Sequence, residues 1–145
     1  MDNHITHGPR LIDYETFYLS SIRPKLEAID IFLKENIAPF NVYEVARILE
    51  IDITEVDTLM RNLNVTHLDT TSFFAIVLHA SSDICQLLSR KWRYTNVETY
   101  TPEIVAEIFN LNIHKVKLAF ADLGISEITD MEFSDIFKRI HFTIF

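Results

Sequence analysis

Residues 45–65, VARILEIDITEVDTLMRNLNV, and residues 105–125, VAEIFNLNIHKVKLAFADLGI, carry one pattern of apolar positions at an offset of 60 residues. The ungapped match extends from Phe40–Leu78 onto Tyr100–Lys138. Val45, Ala46, Ile48, Ile53, Val56, Leu63, Phe73 and Ile76 recur as Val105, Ala106, Ile108, Ile113, Val116, Leu123, Phe133 and Ile136. Two copies are too few for a solenoid, so the pattern predicts an internal duplication inside one compact domain. Each copy reads as helix, tight turn, helix, loop, helix. Thr101 suits an N-cap, Pro102 the first helical position, and Gly124 a left-handed stop, with Asn64 at the matching place. Thr129 with Glu132, and Asn41 with Glu44, have capping-box spacing.

The rest of the chain agrees with an all-α fold of about seven or eight helices. Only 2 Gly and 4 Pro occur in 145 residues, too few for the turns of a small β-sandwich or barrel. Tyr18, Ile22, Leu26, Ile29 and Leu33 form a helical stripe, expected to bend near Pro24. Phe73 to Lys91 reads as a long buried segment, breakable at Ser81, Ser82 and Asp83. The expected divisions are a tail and helical region at 1–40, a first three-helix unit with the long buried helix at 41–99, and a second unit at 100–145. Residues 1–10 lack periodicity and are expected to fray. The core is expected to hold Val45, Ile48, Val56, Leu63, Phe73, Ile76, Val77, Ile84, Leu88, Val105, Ile108, Val116, Phe120, Leu123, Phe133 and Ile136.

Ala46, Ile51 and Val56, and again Ala106, Leu111 and Val116, resemble the helix-turn-helix pattern of DNA-binding regulators: a small residue, an apolar residue in the turn, and a β-branched residue ten positions after the first. Glu50 and Asn110 stand where that pattern usually has glycine. A tandem pair in one chain is similar to AraC-type regulator domains, with a longer spacing. The resemblance implies that the second helix of each pair would meet DNA. In the second copy its outward residues are His114, Lys115 and Lys117. In the first copy they are Thr54, Glu55 and Asp57, whose carboxylates would oppose phosphates. A net charge of −8, spread along the chain, disfavours nucleic acid and anionic lipid alike.

One basic run interrupts that acidity: Arg90, Lys91, Trp92, Arg93 and Tyr94. Trp, Tyr and Arg are favoured anchors at protein interfaces, and a guanidinium there would also hold the carboxylate of an apolar ligand. Catalytic constellations are missing. Cys85 lies on an apolar stretch and is expected to be a buried, inert thiol. His4 and His7 have helical ligand spacing without carboxylate or thiol partners, so no metal is expected. Gly8 and Gly124 cannot form a phosphate-binding loop, and no cofactor is expected.

These features predict a small acidic regulatory protein, not an enzyme, acting through protein–protein contact in transcription or signalling control. Homodimerisation is expected through the N-terminal stripe or the Phe142, Ile144, Phe145 end. Two alternatives accompany it. One is a DNA-binding regulator using His114, Lys115 and Lys117. The other is a sensor with a globin-like helical core, holding a fatty acid in an enclosed tunnel beside residues 73–91, its carboxylate at Arg90, Lys91 or Arg93. The absence of a secretory signal pattern, one cysteine, and no apolar run longer than Phe73–Leu78 predict a cytoplasmic protein without a membrane span. Truncating Ile108 or Phe133 to alanine should cost about 2–5 kcal/mol by urea unfolding, since each removes a core side chain and leaves a cavity; a surface-like loss would show the register to be misplaced.

Overall fold

The computed structural model describes residues 10–144. In chain order its elements are strand β1 (Arg10–Asp13), helix α1 (Tyr14–Phe17), a π turn (Tyr18–Ile22), α2 (Arg23–Glu35), α3 (Val42–Leu49), α4 (Ile53–Asn62), α5 (Thr70–His79), α6 (Asp83–Trp92), α7 (Pro102–Phe109), α8 (Ile113–Leu123), a 3₁₀ turn (Asp130–Glu132), α9 (Phe133–Phe137) and strand β2 (His141–Ile144). The protein is mostly helical, as expected, with 66% of it in helices. Its contacts form two compact units: Ile22–Thr95, and the segment up to Ser21 together with Asn96 onward. These divisions fall at 21/22 and 95/96, where the sequence pattern places them at 40/41 and 99/100.

Local chemistry explains each helix boundary. Pro24 has no N–H for the Ser20 carbonyl, so the stripe that begins at Tyr18 widens into the π turn before α2 starts at Arg23. Asn41 Oδ1 accepts from the backbone N–H of Tyr43 and Glu44 at 2.9 and 3.1 Å. The expected Asn41–Glu44 box is only half made, because the Glu44 carboxylate turns to Arg47 at 2.8 Å. Asp69 and Ser72 form a full box ahead of α5, and Thr129 and Glu132 form one ahead of α9. Thr101 caps α7.

Four helix ends share one device. Glu50, Asn64, Asn110 and Gly124 are left-handed, with φ of 58, 57, 54 and 65°. The N–H after each reaches back to the carbonyl five residues earlier: Ile51 to Ala46, Val65 to Met60, Leu111 to Ala106 and Ile125 to Phe120, at 2.8 to 3.2 Å. These are Schellman closures, and each turns an apolar residue inward. They end α3, α4, α7 and α8.

In the Ile22–Thr95 unit, α2 to α6 enclose one core. Val45, Leu49, Val56, Phe73, Ile76, Val77 and Cys85 lie at its centre with no exposure, and Ile29 and Phe32 of α2 pack into it. Phe32, Phe40 and Phe73 meet as rings 5.2 to 6.2 Å apart. The apolar stretch 73–91 is broken, with α5 and α6 bent by 108°. Ser82 Oγ caps α6 and donates to Leu49 O at 2.6 Å. Phe74 and Leu78, expected inside, are partly exposed, because the bend leaves that side of α5 only partial cover, with Trp92 against Phe74.

The other unit gathers around Phe137. Its ring, 1% exposed, meets Tyr14, Tyr18, Phe109 and Phe133 with centroids 4.8 to 5.6 Å apart. β1 pairs antiparallel with β2, Arg10 opposite Ile144 and Asp13 opposite His141. Helix α9 stops at Phe137, so Ile140 is not on a helical stripe; it is buried beyond it, and its carbonyl accepts from Tyr14 N–H at 2.7 Å. Phe142 lies edge-on to Phe17 at 5.6 Å, so this part of the expected dimer face is covered within the chain. Phe145 and residues 1–9 lie outside the described residues. Of the expected core, Leu63 and Leu123 are only half-buried, since each sits where its helix closes.

An added Cβ at Gly124 would meet nothing within 4 Å, so only the left-handed backbone resists it. Gly124→Ala should therefore cost about 1 kcal/mol, while Asn64→Gly should be neutral or slightly stabilising. Urea midpoints that shift accordingly at unchanged slope would verify this.

Candidate functional site

Helices α3 and α4 meet at the closure through Glu50, Ile51 and Asp52, and an open groove of about 270 Å³ lies across them. Val56 forms its floor with no exposure, and the half-buried Ile53 and Met60 form its sides. Tyr43, 69% exposed, and Asp57 stand at its rim. Asp57 has Arg61 at 3.8 Å, with both side chains 70% exposed, a pair too wet to neutralise it strongly. A hydrogen bond from Arg47 holds the Glu44 carboxyl below its ordinary range. Glu55, expected to face outward beside Thr54 and Asp57, instead accepts from Ser81 N–H and Oγ, both at 2.7 Å, and so ties α4 to the α5–α6 bend.

The matching face of α7 and α8 is differently furnished. Glu103 and Lys117, offset by 60 from Tyr43 and Asp57, form an ion pair between the two helices at 3.6 Å. The Glu103 carboxyl is lowered by its own backbone N–H first and by Lys117 in addition. Lys115 Nζ donates to His141 O at 2.6 Å. His114, Lys115 and Lys117 are exposed on α8 as expected, but both lysines are engaged within the chain.

Arg90, Lys91 and Trp92 close α6, followed by Arg93 and Tyr94. Trp92 is half-buried and meets Phe74 edge-on at 5.0 Å, so the aromatic part of this run covers the outer side of α5. Arg90 and Arg93 border a cleft of about 260 Å³ in the crook of α5 and α6, whose apolar wall is Val77, Leu78 and Ala80. This cleft is open, unlike the enclosed tunnel expected for a fatty acid. Cys85 is fully buried, and burial pushes its thiol up, which keeps it protonated. His79 is exposed, with Nδ1 2.9 Å from Ala75 O. Among the described residues, no group of three or more His, Cys, Asp or Glu could hold a metal ion; His4 and His7 lie outside them. No single described helix is long and apolar enough to cross a membrane.

The groove residues Tyr43 and Met60 were not legible as a site. Met60 recurs as the apolar Phe120 at the offset of 60, which marks it as a packing position, and no local pattern reveals a depression between two helices. No protein-family model matches the chain, and no curated protein or solved structure is significantly similar to it.

Tyr100 carries the largest titration effect. Burial first, and then a hydrogen bond to the Asp130 carboxylate, push its phenol up to about 12. The ionised form is disfavoured in the fold, so this group's contribution is complete below its unfolded pKa near 10 and is lost as pH rises toward 12. Tyr100→Phe should remove that part of the alkaline loss of stability, which urea unfolding between about pH 9 and 12 would read.

Proposed function

We propose that this chain is a small acidic regulatory module that acts by binding another protein through the face formed by α3 and α4. The observation that carries this reading is the groove on that face: an apolar floor and sides, a mostly exposed tyrosine, and a carboxylate at the rim. Tyrosine is a favoured interface anchor, because it offers a large apolar surface and one polar tip with few rotamers to fix. A negative charge of −8 suits a basic partner and speeds its encounter.

The two helix pairs are read here as copies of one duplicated unit. Support comes from the constant offset of 60 in their left-handed closures, their capping boxes, and the bridges Phe40–Leu68 and Tyr100–Ile128. Selection after such a duplication would keep the apolar stripe and let the outer faces diverge. One pair then ties its charges across its two helices, as Lys117 does with Glu103, while the other pairs them along single helices, Arg47 with Glu44 and Arg61 with Asp57. Contact with DNA through α8 is the weaker reading, since Lys115 and Lys117 already serve acceptors of their own chain.

A photo-crosslinking residue answers the question directly. With benzoylphenylalanine in place of Tyr43, irradiation in the source cells should give one discrete protein adduct. The same residue in place of Asp122, exposed on α8, should give none. Equal yields from the two positions, or no adduct from position 43, would refute the proposed face.

A further inference from the structure

The unit that begins at Asn96 is completed by an arm from the other end of the chain. Within residues 10–21, β1 pairs with β2, and Tyr14 and Tyr18 lie against Phe109 and Phe137. Tyr14 N–H donates to Ile140 O at 2.7 Å, and Glu15 accepts from Ser134. Along the chain, this arm is joined to its seat only through the whole of the Ile22–Thr95 unit. Every contact between arm and seat would be reproduced unchanged if the arm came from a second copy. Only the hinge that leads out of the arm would differ, so the hinge decides which form is preferred.

That hinge is a helical path with a proline inside it. From Tyr14 to Glu35 the chain is helical without a break, as α1, the π turn and α2. Pro24 lies within this run, where it withholds one N–H from the ladder and disfavours a helical Arg23 before it. The π turn at Tyr18–Ile22 is the detour that accommodates it. Leu19, 45% exposed, and the exposed Ser20 add little burial to hold the turn closed. Drawn out, the stretch from Leu19 to Arg23 spans about 17 Å, against about 8 Å along a helix, which lets the arm leave its own seat. We propose that residues 10–21 exchange between two copies of this chain, each laying its β1 and α1 on β2 and Phe137 of the other. Two such exchanges close a symmetric dimer and leave neither seat empty. Closure within one chain competes at an effective concentration in the millimolar range, so exchange belongs to high protein concentration.

Refolding captures the choice between the two forms, because a seated arm must break the ribbon and its ring contacts to leave. The full chain is refolded from urea at about 1 mM and at about 1 μM, concentrations at and far below that of intramolecular closure. Light scattering should find dimer in the concentrated sample and monomer alone in the dilute one. Leu11 and Thr143 stand opposite each other in the ribbon, a spacing that a disulfide can bridge. Leu11→Cys and Thr143→Cys chains are mixed unfolded, refolded together at the higher concentration, and only then oxidised. They should give a covalent dimer linked from position 11 of one chain to position 143 of the other. Cys85, buried and protonated, does not compete. Pro24 is exposed, so Pro24→Ala disturbs no core; by returning an N–H to the helical run it should lower the dimer share at least about fivefold.

Monomer alone after refolding at the higher concentration would overturn the inference. A dimer without the link from 11 to 143, or one joined 11 to 11 or 143 to 143 instead, would show contact between closed chains and overturn it equally. A Pro24→Ala chain that dimerises as readily as wild type would refute the hinge argument on which the exchange rests.

Discussion

A left-handed residue at the end of a helix is the constraint on which the rest of this fold depends. At Glu50 and Asn110 the chain leaves a helix, spends three residues turning, and enters the next. The closure needs φ near +55°, which costs a side chain about 1–2 kcal/mol except in glycine and, more mildly, asparagine. What repays it is geometric. The reach-back of Ile51 to Ala46 and of Leu111 to Ala106 satisfies a terminal carbonyl and turns an apolar residue toward the core. Glu50 has only an exposed ion pair with Lys25 at 3.0 Å to assist it, worth less than the strain. Burial beneath the corner therefore holds it in place, and the angle between α3 and α4, with the groove it creates, follows from that corner.

The two units reach their cores by different means. Around Val45, Phe73 and Ile76 the packing is chiefly aliphatic, with Phe32 and Phe40 meeting the central Phe73 ring to ring. Around Phe137 it is aromatic, with two rings meeting it edge-on, one tilted and one stacked, and it includes Tyr14 and Tyr18 from far away in the chain. The β1–β2 ribbon and the Tyr14–Ile140 hydrogen bond fasten that distant segment. Glu15 and Ser134 add a hydrogen bond between the same two stretches. Strands this short would be marginal alone; here neighbouring rings support them.

Polar groups on the outer faces mark where the fold has completed itself and where it has not. Glu55 is committed to the Ser81 turn, Lys115 to a backbone carbonyl, Lys117 to Glu103, and Trp92 to Phe74. Each was a candidate contact by residue type, and each has an intramolecular task. Asp57 and Tyr43 have looser surroundings, and they border an apolar depression. Sites emerge here by what the chain leaves undone, which residue type alone does not disclose.

Amino-acid order alone determined most of the helices, most of their caps, all four left-handed stops except the one at Glu50, and fourteen of the sixteen core positions named from it, though not the buried Leu49, Phe109 or Phe137. Those features depend on neighbours within about five residues, where hydrogen bonds of the backbone and the 3.6-residue period act directly. It was silent on the ribbon, because each strand has four residues and its partner lies about 130 positions away. It also misplaced Phe74 and Leu78, since periodicity reports which side of a helix is apolar and not whether anything covers it. The division into two units, the destination of Glu55, the Lys117–Glu103 bridge and the open α3–α4 groove were decided by tertiary structure. Each depends on which helix face meets which, and that is settled by the summed packing of residues far apart in the chain, for which no local pattern exists.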